Sequence, residues 1–334
     1  MRLRKSMHIN STQKPKIVAI GGGTGTSTII SGLATYPAEL TAIVSMADSG
    51  GSTGRLRDEF GFQPVGDVRQ SLVALVHEKQ KEWIRKILLY RFSKGNGLQG
   101  HNLGNLLLTA LQDMTGSTAR SLEIIEETFH LQGKVLPITE DNVQLQTTFT
   151  DGSTVMGEDY FNTHSVYAKR INSISLVPSA HIFRPAFEAI EHADCVVIGP
   201  GDYYASLLAT LCVDGVKEAF GATTAKIIFV VNLMTTVNQT RGMPASAHIQ
   251  GIEKAIGRKI DLAICNTGKI PANLLAHYAQ NDEFPVEIDT ISCSTIAEDY
   301  VLSVPVHEHT GDVLERSYLR HDPTRIAQAI WRSL

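Results

Sequence analysis

The chain is predicted to be an α/β protein with a doubly wound, mostly parallel, Rossmann-like sheet and a small β-rich insertion. Three observations predict it. Short continuous apolar runs at 17–20, 41–46, 193–198, 226–231 and 262–265 alternate with segments of helical periodicity. That is the pattern of βαβ units whose strands are buried on both faces. Five of these runs end in glycine or polar punctuation, as strands do where open α/β sheets bind ligands. From 135 to 177 the apolar residues thin and alternate, and Thr150-Asp151-Gly152-Ser153 reads as a hairpin turn between strands at 143–149 and 154–157.

The elements follow in order. The first 14 residues are basic and polar with no apolar stretch behind them, so they read as a disordered or non-native lead and not as a signal peptide. Residues 15–334 then read as one domain. The first strand breaks into Gly21-Gly22-Gly23-Thr24-Gly25-Thr26-Ser27 and a helix through Ile29, Ile30 and Leu33. Glycines let a backbone approach a ligand, and the first amides of the helix point at an anion. The second strand ends in Asp48-Ser49-Gly50-Gly51-Ser52-Thr53-Gly54-Arg55, and Pro64-Val65-Gly66-Asp67 precedes a helical run at 68–78 with Asp67 placed as its N-cap. A second helix carries Trp83 to Leu89, Asn102 caps a helix at 103–111, and Ser117 caps another to about residue 130. After the insertion at 135–177, strands resume and turn at Gly199-Pro200-Gly201-Asp202, at Asn232 and at Asn266. Asp322 before Pro323 fits an N-cap with proline at the first position of a last helix.

Two glycine-rich loops at adjacent strand ends suggest one nucleotide-sized pocket. A glycine turn can also serve tight packing alone, but hydroxyls among the glycines and the charges of Asp48, Arg55 and Arg57 favour an anion site. It is not a phosphate loop of the Gly-Lys-Ser/Thr kind. It is not the dinucleotide fingerprint either, because Thr28 stands where the third glycine would fall. An NAD(P)-dependent oxidoreductase would rest on Asp48 and fold analogy alone. Asp48 and Asp67 are the candidate ligands for magnesium, since a phosphate-rich ligand and hard oxygen donors suit that ion.

These motifs together (GGGTG, ADSGGSTGRLRDEF, PVGDVRQSLVAL, NGLQGHNLGNLLLTAL, IGPGDYYASLL, VVNLMT and LRHDP) resemble, in order and over nearly the whole chain, the YvcK-type gluconeogenesis-factor family. That family is related to CofD, the 2-phospho-L-lactate transferase of deazaflavin coenzyme synthesis. The resemblance implies a regulatory protein that binds a UDP-sugar such as UDP-N-acetylglucosamine and links carbon metabolism to cell-wall synthesis and cell shape, acting on an unidentified protein partner in those processes. If the chain is instead an enzyme, the resemblance implies a magnesium-dependent phospholactyl-type transfer from a nucleotide diphosphate. It places the ligand on Gly21 to Thr26, on Ser49, Gly50, Gly51, Ser52 and Arg55, on Gly199, Pro200, Gly201 and Asn232, and gives His101, Asn102 and Asn105 a pocket role. Arg320 and Tyr278 are carried over as contacts to the nucleotide sugar, arginine suiting a diphosphate through its planar fork. Asp202 stands where the family more usually has serine, and a carboxylate there repels an anion unless a metal bridges them.

Composition bounds the rest. Apolar residues make up 43% and charged residues 19%, ordinary for a globular chain, and the net charge of −4 gives no footprint for nucleic acid. No run reaches the 18 or so apolar residues of a membrane span. Cys195, Cys212, Cys265 and Cys293 form no CxxC pair and read as reduced core thiols, which makes the cytoplasm the expected compartment. A homodimer is compatible with these data and not derivable from them.

Overall fold

The computed structural model describes residues 14–47, 56, 60–76, 82–162, 169–302 and 319–334. A seven-stranded parallel sheet forms the centre, in the order β10-β9-β8-β7-β1-β2-β3. Its strands are β1 (Lys16–Gly21), β2 (Glu39–Val44), β3 (Lys134–Pro137), β7 (Cys195–Ile198), β8 (Lys226–Val230), β9 (Leu262–Asn266) and β10 (Ser294–Glu298). Every residue of β7 is buried, as are the last five of β1 and the last four of β8, the continuous burial expected of strands covered on both faces. A second sheet, antiparallel, has the order β5-β4-β6, with β4 (Gln144–Phe149), β5 (Thr154–Met156) and β6 (Ile171–Val177).

The hairpin expected around Thr150 to Ser153 is therefore β4–β5. The insertion begins later than expected, because Lys134–Pro137 pairs in parallel with β2 as the edge of the main sheet. The glycine turn leads into α1 (Gly23–Leu33). Next come α2 (Gly66–Ala74), α3 (Glu82–Leu89), α4 (Leu103–Thr115) and α5 (Thr118–Phe129). Asn102 caps α4 and Ser117 caps α5, each side chain accepting from the backbone N–H three residues on. The last helix, α10 (Pro323–Ser333), follows α6 (Arg184–Glu191), α7 (Val216–Ala222), α8 (Ala245–Ile256) and α9 (Ala272–Gln280). Asp322 caps α10 by accepting from the N–H groups of Thr324 and Arg325. α10 packs along α1, where a Cβ on Gly32 would lie 2.1 Å from the Pro323 carbonyl oxygen.

Two expectations are corrected. Asp67 is not an N-cap: α2 begins at Gly66, capped by Val65, and Asp67 lies inside the first turn. Of the cysteines, Cys195 and Cys265 are core, but Cys212 is exposed and Cys293 half-buried. No helix among the described residues is long and apolar enough to cross a membrane.

One buried carboxyl joins a helix to the sheet edge. Glu126 of α5 accepts from the Val135 N–H of β3 at 2.6 Å, and burial raises its pKa to about 7. A carboxyl whose folded pKa exceeds its unfolded value contributes stability that is present at low pH and lost as pH rises through the folded pKa. Here that window runs from 4.5 to about 7. Glu126→Gln keeps the acceptor and removes the charge. It should unfold at higher urea than the parent above pH 7, by on the order of 3 kcal/mol at most, with the gap closing toward pH 4.5. Urea titrations across that range check it, and a constant gap would separate Glu126 from the effect.

Candidate functional site

The chain lays down β1, β2 and β3 outward in one direction. It then returns to place β7 on the other side of β1 and continues through β8, β9 and β10. The order reverses between β1 and β7, and such a switch point opens a crevice at the carboxyl ends of the strands. The loops leaving these two strands are Gly21 to Thr26 and Gly199 to Asp202, so the topology brings together the first and third of the glycine motifs.

Their contact is close. A Cβ on Gly25 would lie 1.5 Å from the Pro200 carbonyl oxygen, so only glycine fits there. Gly199 has φ 72°, which favours glycine, and precedes a cis peptide to Pro200. Asn232, at the end of β8, clasps the same loop from the other side. Its Nδ2 donates to the Gly201 carbonyl at 2.8 Å, and its Oδ1 accepts from the Gly201 N–H at 3.3 Å. Asn232 thus orders the loop that it was expected to help form.

Two helix amino ends face this crevice, and they differ. Beyond Asp202 the backbone makes a π-helical segment, Tyr203–Leu208. Gln239 Oε1 accepts from the N–H groups of Tyr204 and Ala205 at 2.9 and 3.3 Å, so a protein side chain takes the leading donors of this segment. At α1 the N-cap is Gly22, which offers no side chain. The amides of Gly23, Thr24 and Gly25 have no acceptor within the helix. Ser206 Oγ lies 2.6 Å from where a Gly22 Cβ would stand, and Thr24 Oγ1 donates to Gln70 Oε1 at 2.9 Å. Thr26 Oγ1 is buried without a hydrogen-bond partner. An anion therefore finds its backbone donors at α1.

Asp67 reaches the same place from α2. Its carboxylate oxygens lie 2.6 Å from a Cβ built on Gly23 and 3.2 Å from one on Gly22. A negative charge at a helix amino end is favourable. Two residues on, Arg69 is buried; its Nε donates to Asn105 Oδ1 at 2.7 Å, and it also donates to the Leu88 carbonyl. The GHNLGN stretch thus has structural partners: Asn102 caps α4, Asn105 receives Arg69, and Gly104 leaves room for Arg69 and the Leu88 carbonyl. His101 is buried beside them.

Tyr278 and Arg320 lie over the other half of the sheet. Tyr278 joins Leu233, Met234, Ile270, Val301 and Leu319 in a small apolar cluster beyond the carboxyl ends of β8 to β10. Its hydroxyl accepts from the Leu319 N–H at 3.1 Å. The Arg320 carbonyl accepts from the Leu302 N–H, and the next residue, His321, bridges antiparallel to Val301. His321 is buried, and loss of hydration lowers its pKa to about 4. Among the described residues Asp67 is the acidic site residue at the crevice; Asp48, Ser49, Gly50, Gly51, Ser52 and Arg55 lie outside them. Gln70, Gln239 and the π-helical turn were not legible in the sequence, since glutamine carries no positional signature.

A polar cleft of about 410 Å³ opens at the opposite end of the sheet, beside Lys226, Arg258 and Asp261. Its charges are spent on structure. Arg258 donates to the carbonyls of Thr223 and Ala225, Lys226 to that of Ser333, and Asp261 accepts from the Ile227 N–H.

Comparison with known proteins places this geometry. The family model described as 2-phospho-L-lactate transferase CofD matches residues 17–303. The chain is 36% identical over 325 residues to the gluconeogenesis factor of Halalkalibacterium halodurans, covering 95% of this chain and 96% of that protein. It is 34% identical over 320 residues to the gluconeogenesis factor of Bacillus subtilis, covering 95% and 98%. A crystal structure of a Bacillus halodurans protein matches with a TM-score of 0.86 at 36% identity, covering 96% of this chain and 100% of that one.

Gly25→Ala should cost about 1–3 kcal/mol in urea unfolding, because the new methyl overlaps Pro200. Gly221→Ala, whose Cβ would meet nothing within 4 Å, should be neutral or stabilising; equal effects would dissolve the loop contact. For His321, a depressed pKa means stability present above the unfolded value of 6.5 and lost as pH falls toward about 4. His321→Gln should flatten that part of the stability–pH curve, measured by thermal melts.

Proposed function

The chain belongs to the gluconeogenesis-factor family, which shares the CofD domain, and from that premise we propose that it is a regulatory protein whose ligand is a UDP-sugar such as UDP-N-acetylglucosamine. The observation that carries the reading is the closure of Gly25 onto Pro200 at the β1–β7 switch point, with the α1 amides at the crevice. This supports a diphosphate at α1. From there the sheet continues through β7 and β8 to β9, two to three strand spacings, or roughly 10–14 Å. Arg320 and Tyr278 stand over that far end, and α10 alongside α1 delivers Arg320 to the carboxyl side. An elongated ligand with charge at one end and a cation waiting at the other suits a nucleotide sugar better than free phosphate.

The carboxylate of Asp67 beside the α1 amides fits a hard divalent cation. Magnesium there would be held by Asp67 together with oxygens of the ligand, and by Asp48 if that residue reaches it. When bound, it neutralises phosphate charge. The chain's own residues supply the rest: α1 orients the diphosphate, Arg320 adds a charge-assisted pair, and Asn232 keeps the Gly199–Gly201 loop shaped. In this reading, occupancy is signalled to a protein partner in cell-wall or carbon metabolism, and through it to cell shape, in the cytoplasm.

The second reading is transfer of a phospholactyl group from a nucleotide diphosphate, favoured by the description of the matching family model. It needs an acceptor slot, and a deazaflavin needs aromatic walls. The residues around the crevice are glycine, threonine, serine and aspartate, with Tyr203 buried and its hydroxyl committed to the His248 carbonyl.

Thermal shift with UDP-sugars, guanosine nucleotides and NAD(P), each with and without magnesium, tests both readings, since a ligand of the native state raises apparent stability by mass action. Selective stabilisation by UDP-N-acetylglucosamine or UDP-glucose is expected. Stabilisation by guanosine nucleotides alone would overturn the first reading. Arg320→Ala should weaken UDP-sugar binding at least tenfold, about 1.4 kcal/mol, in calorimetric titration; unchanged affinity would remove Arg320 from the site.

A further inference from the structure

Helix α3 is apolar around most of its circumference, yet the fold covers only one side. Leu88 is fully buried and Ile84 partly so. Trp83, Ile87 and Tyr90, spaced i, i+4 and i+7, form a continuous stripe on the other side and are 73%, 38% and 51% exposed. Leu89 and Leu98 are exposed next to it. An eight-residue helix is marginal alone in water, and rings of this size are costly to leave wet. Scattered apolar residues on a surface need no explanation, but a stripe at helical spacing marks a contact.

The charge pattern says what covers it. Glu82 stands at the amino end of α3, and Arg91 and Lys94 follow its carboxyl end. Two copies of such a helix, crossing antiparallel about an axis near Ile87, set the acidic end of each beside the basic end of the other, and their helix dipoles oppose. The stripe then meets itself, which is the condition for a two-fold interface. A flat anionic surface fits less well because the cations are engaged locally. Lys86 pairs with Glu82 at 2.8 Å and lies over the Trp83 ring, Arg85 donates to the Val76 carbonyl, and Arg91 donates to the Gly100 carbonyl.

We propose that this face of α3 is the contact surface of a symmetric homodimer, with the Trp83, Ile87 and Tyr90 stripes of two copies packed together. Scaled by exposure, the four rings bury roughly 500 Å². That is about a third of a standard interface, the remainder coming from Ile87, Leu89, Leu98 and the 91–100 turn.

Sedimentation velocity of the full chain over a wide concentration range tests this. The expected mass is that of two chains, twice 36.4 kDa. Trp83→Glu and Ile87→Glu should each shift the particle to a monomer with circular dichroism and melting unchanged. Met156→Glu, an exposed methionine on the small sheet, should leave the dimer intact. In a Trp331→Phe background, the remaining Trp83 fluorescence should shift to the red on dilution. A monomer at every concentration overturns the proposal, as does a dimer that survives both α3 variants in their folded state. A monomer that co-sediments with phosphatidylglycerol vesicles through Trp83 would also overturn it and make the face a lipid contact.

Discussion

A single steric constraint holds the crevice closed: the Pro200 carbonyl occupies the space that a side chain on residue 25 would need. The loops after β1 and β7 can meet only because residue 25 is glycine, and they must meet because those strands are hydrogen-bonded neighbours. Their parallel register, Ile17 with Cys195 through Ile20 with Ile198, brings both loops off the sheet at one level. Gly199 then turns through a left-handed conformation, and Asn232 on β8 fastens the loop from behind. Loss of any of these would leave the α1 amides facing an unshaped gap.

The electrostatics of the crevice follow from that closure. Gln239 takes the leading donors of the π-helical segment, which concentrates anion-binding capacity at α1. Asp67 places a carboxylate against the same amino end. A carboxylate and a phosphate compete for one dipole unless a cation lies between them, so the site is either anion-accepting with Asp67 displaced or anion-accepting through a metal. At the far end, Arg320 sits between two fixed points: Leu319 receives the Tyr278 hydroxyl on its N–H, and neutral, buried His321 bridges to Val301. The segment can hold an arginine toward a ligand because its neighbours are anchored.

The sheet's centre was legible because strands buried on both faces must be apolar throughout; β1, β2, β7, β8 and β9 all announce themselves. Its edges were not. β10 reads Ser-Thr-Ile-Ala-Glu and is mostly exposed, so it lacks an apolar run. β3, at the other edge, was absorbed into the expected insertion because four residues alternate in burial. Caps formed by serine, asparagine and aspartate were legible at Asn102, Ser117 and Asp322, because those side chains satisfy first-turn amides wherever they precede a helix. The same rule misled at Asp67, where α2 starts one residue earlier and frees the carboxylate for α1. The glycine loops pointed to the crevice, but Gln239 and Gln70 could be found only in three dimensions, since their partners lie 35 and 46 residues away.

Helix α2 ties the crevice to the lobe that carries the α3 stripe. Asp67 and Gln70 face α1, while Arg69 between them faces the other way, into α4 through Asn105 and onto the end of α3 through the Leu88 carbonyl. A nine-residue helix moves as a unit, because its hydrogen-bond ladder resists local shear. A displacement of Asp67 by ligand charge must therefore be absorbed at Arg69 or passed to Leu88. Arg69 is poorly placed to absorb it: the guanidinium is buried, and its aliphatic stem fills the space left by Gly104. The physical route from the anion end of the crevice to the exposed face of α3 is thus one helix long, and it runs through a buried arginine.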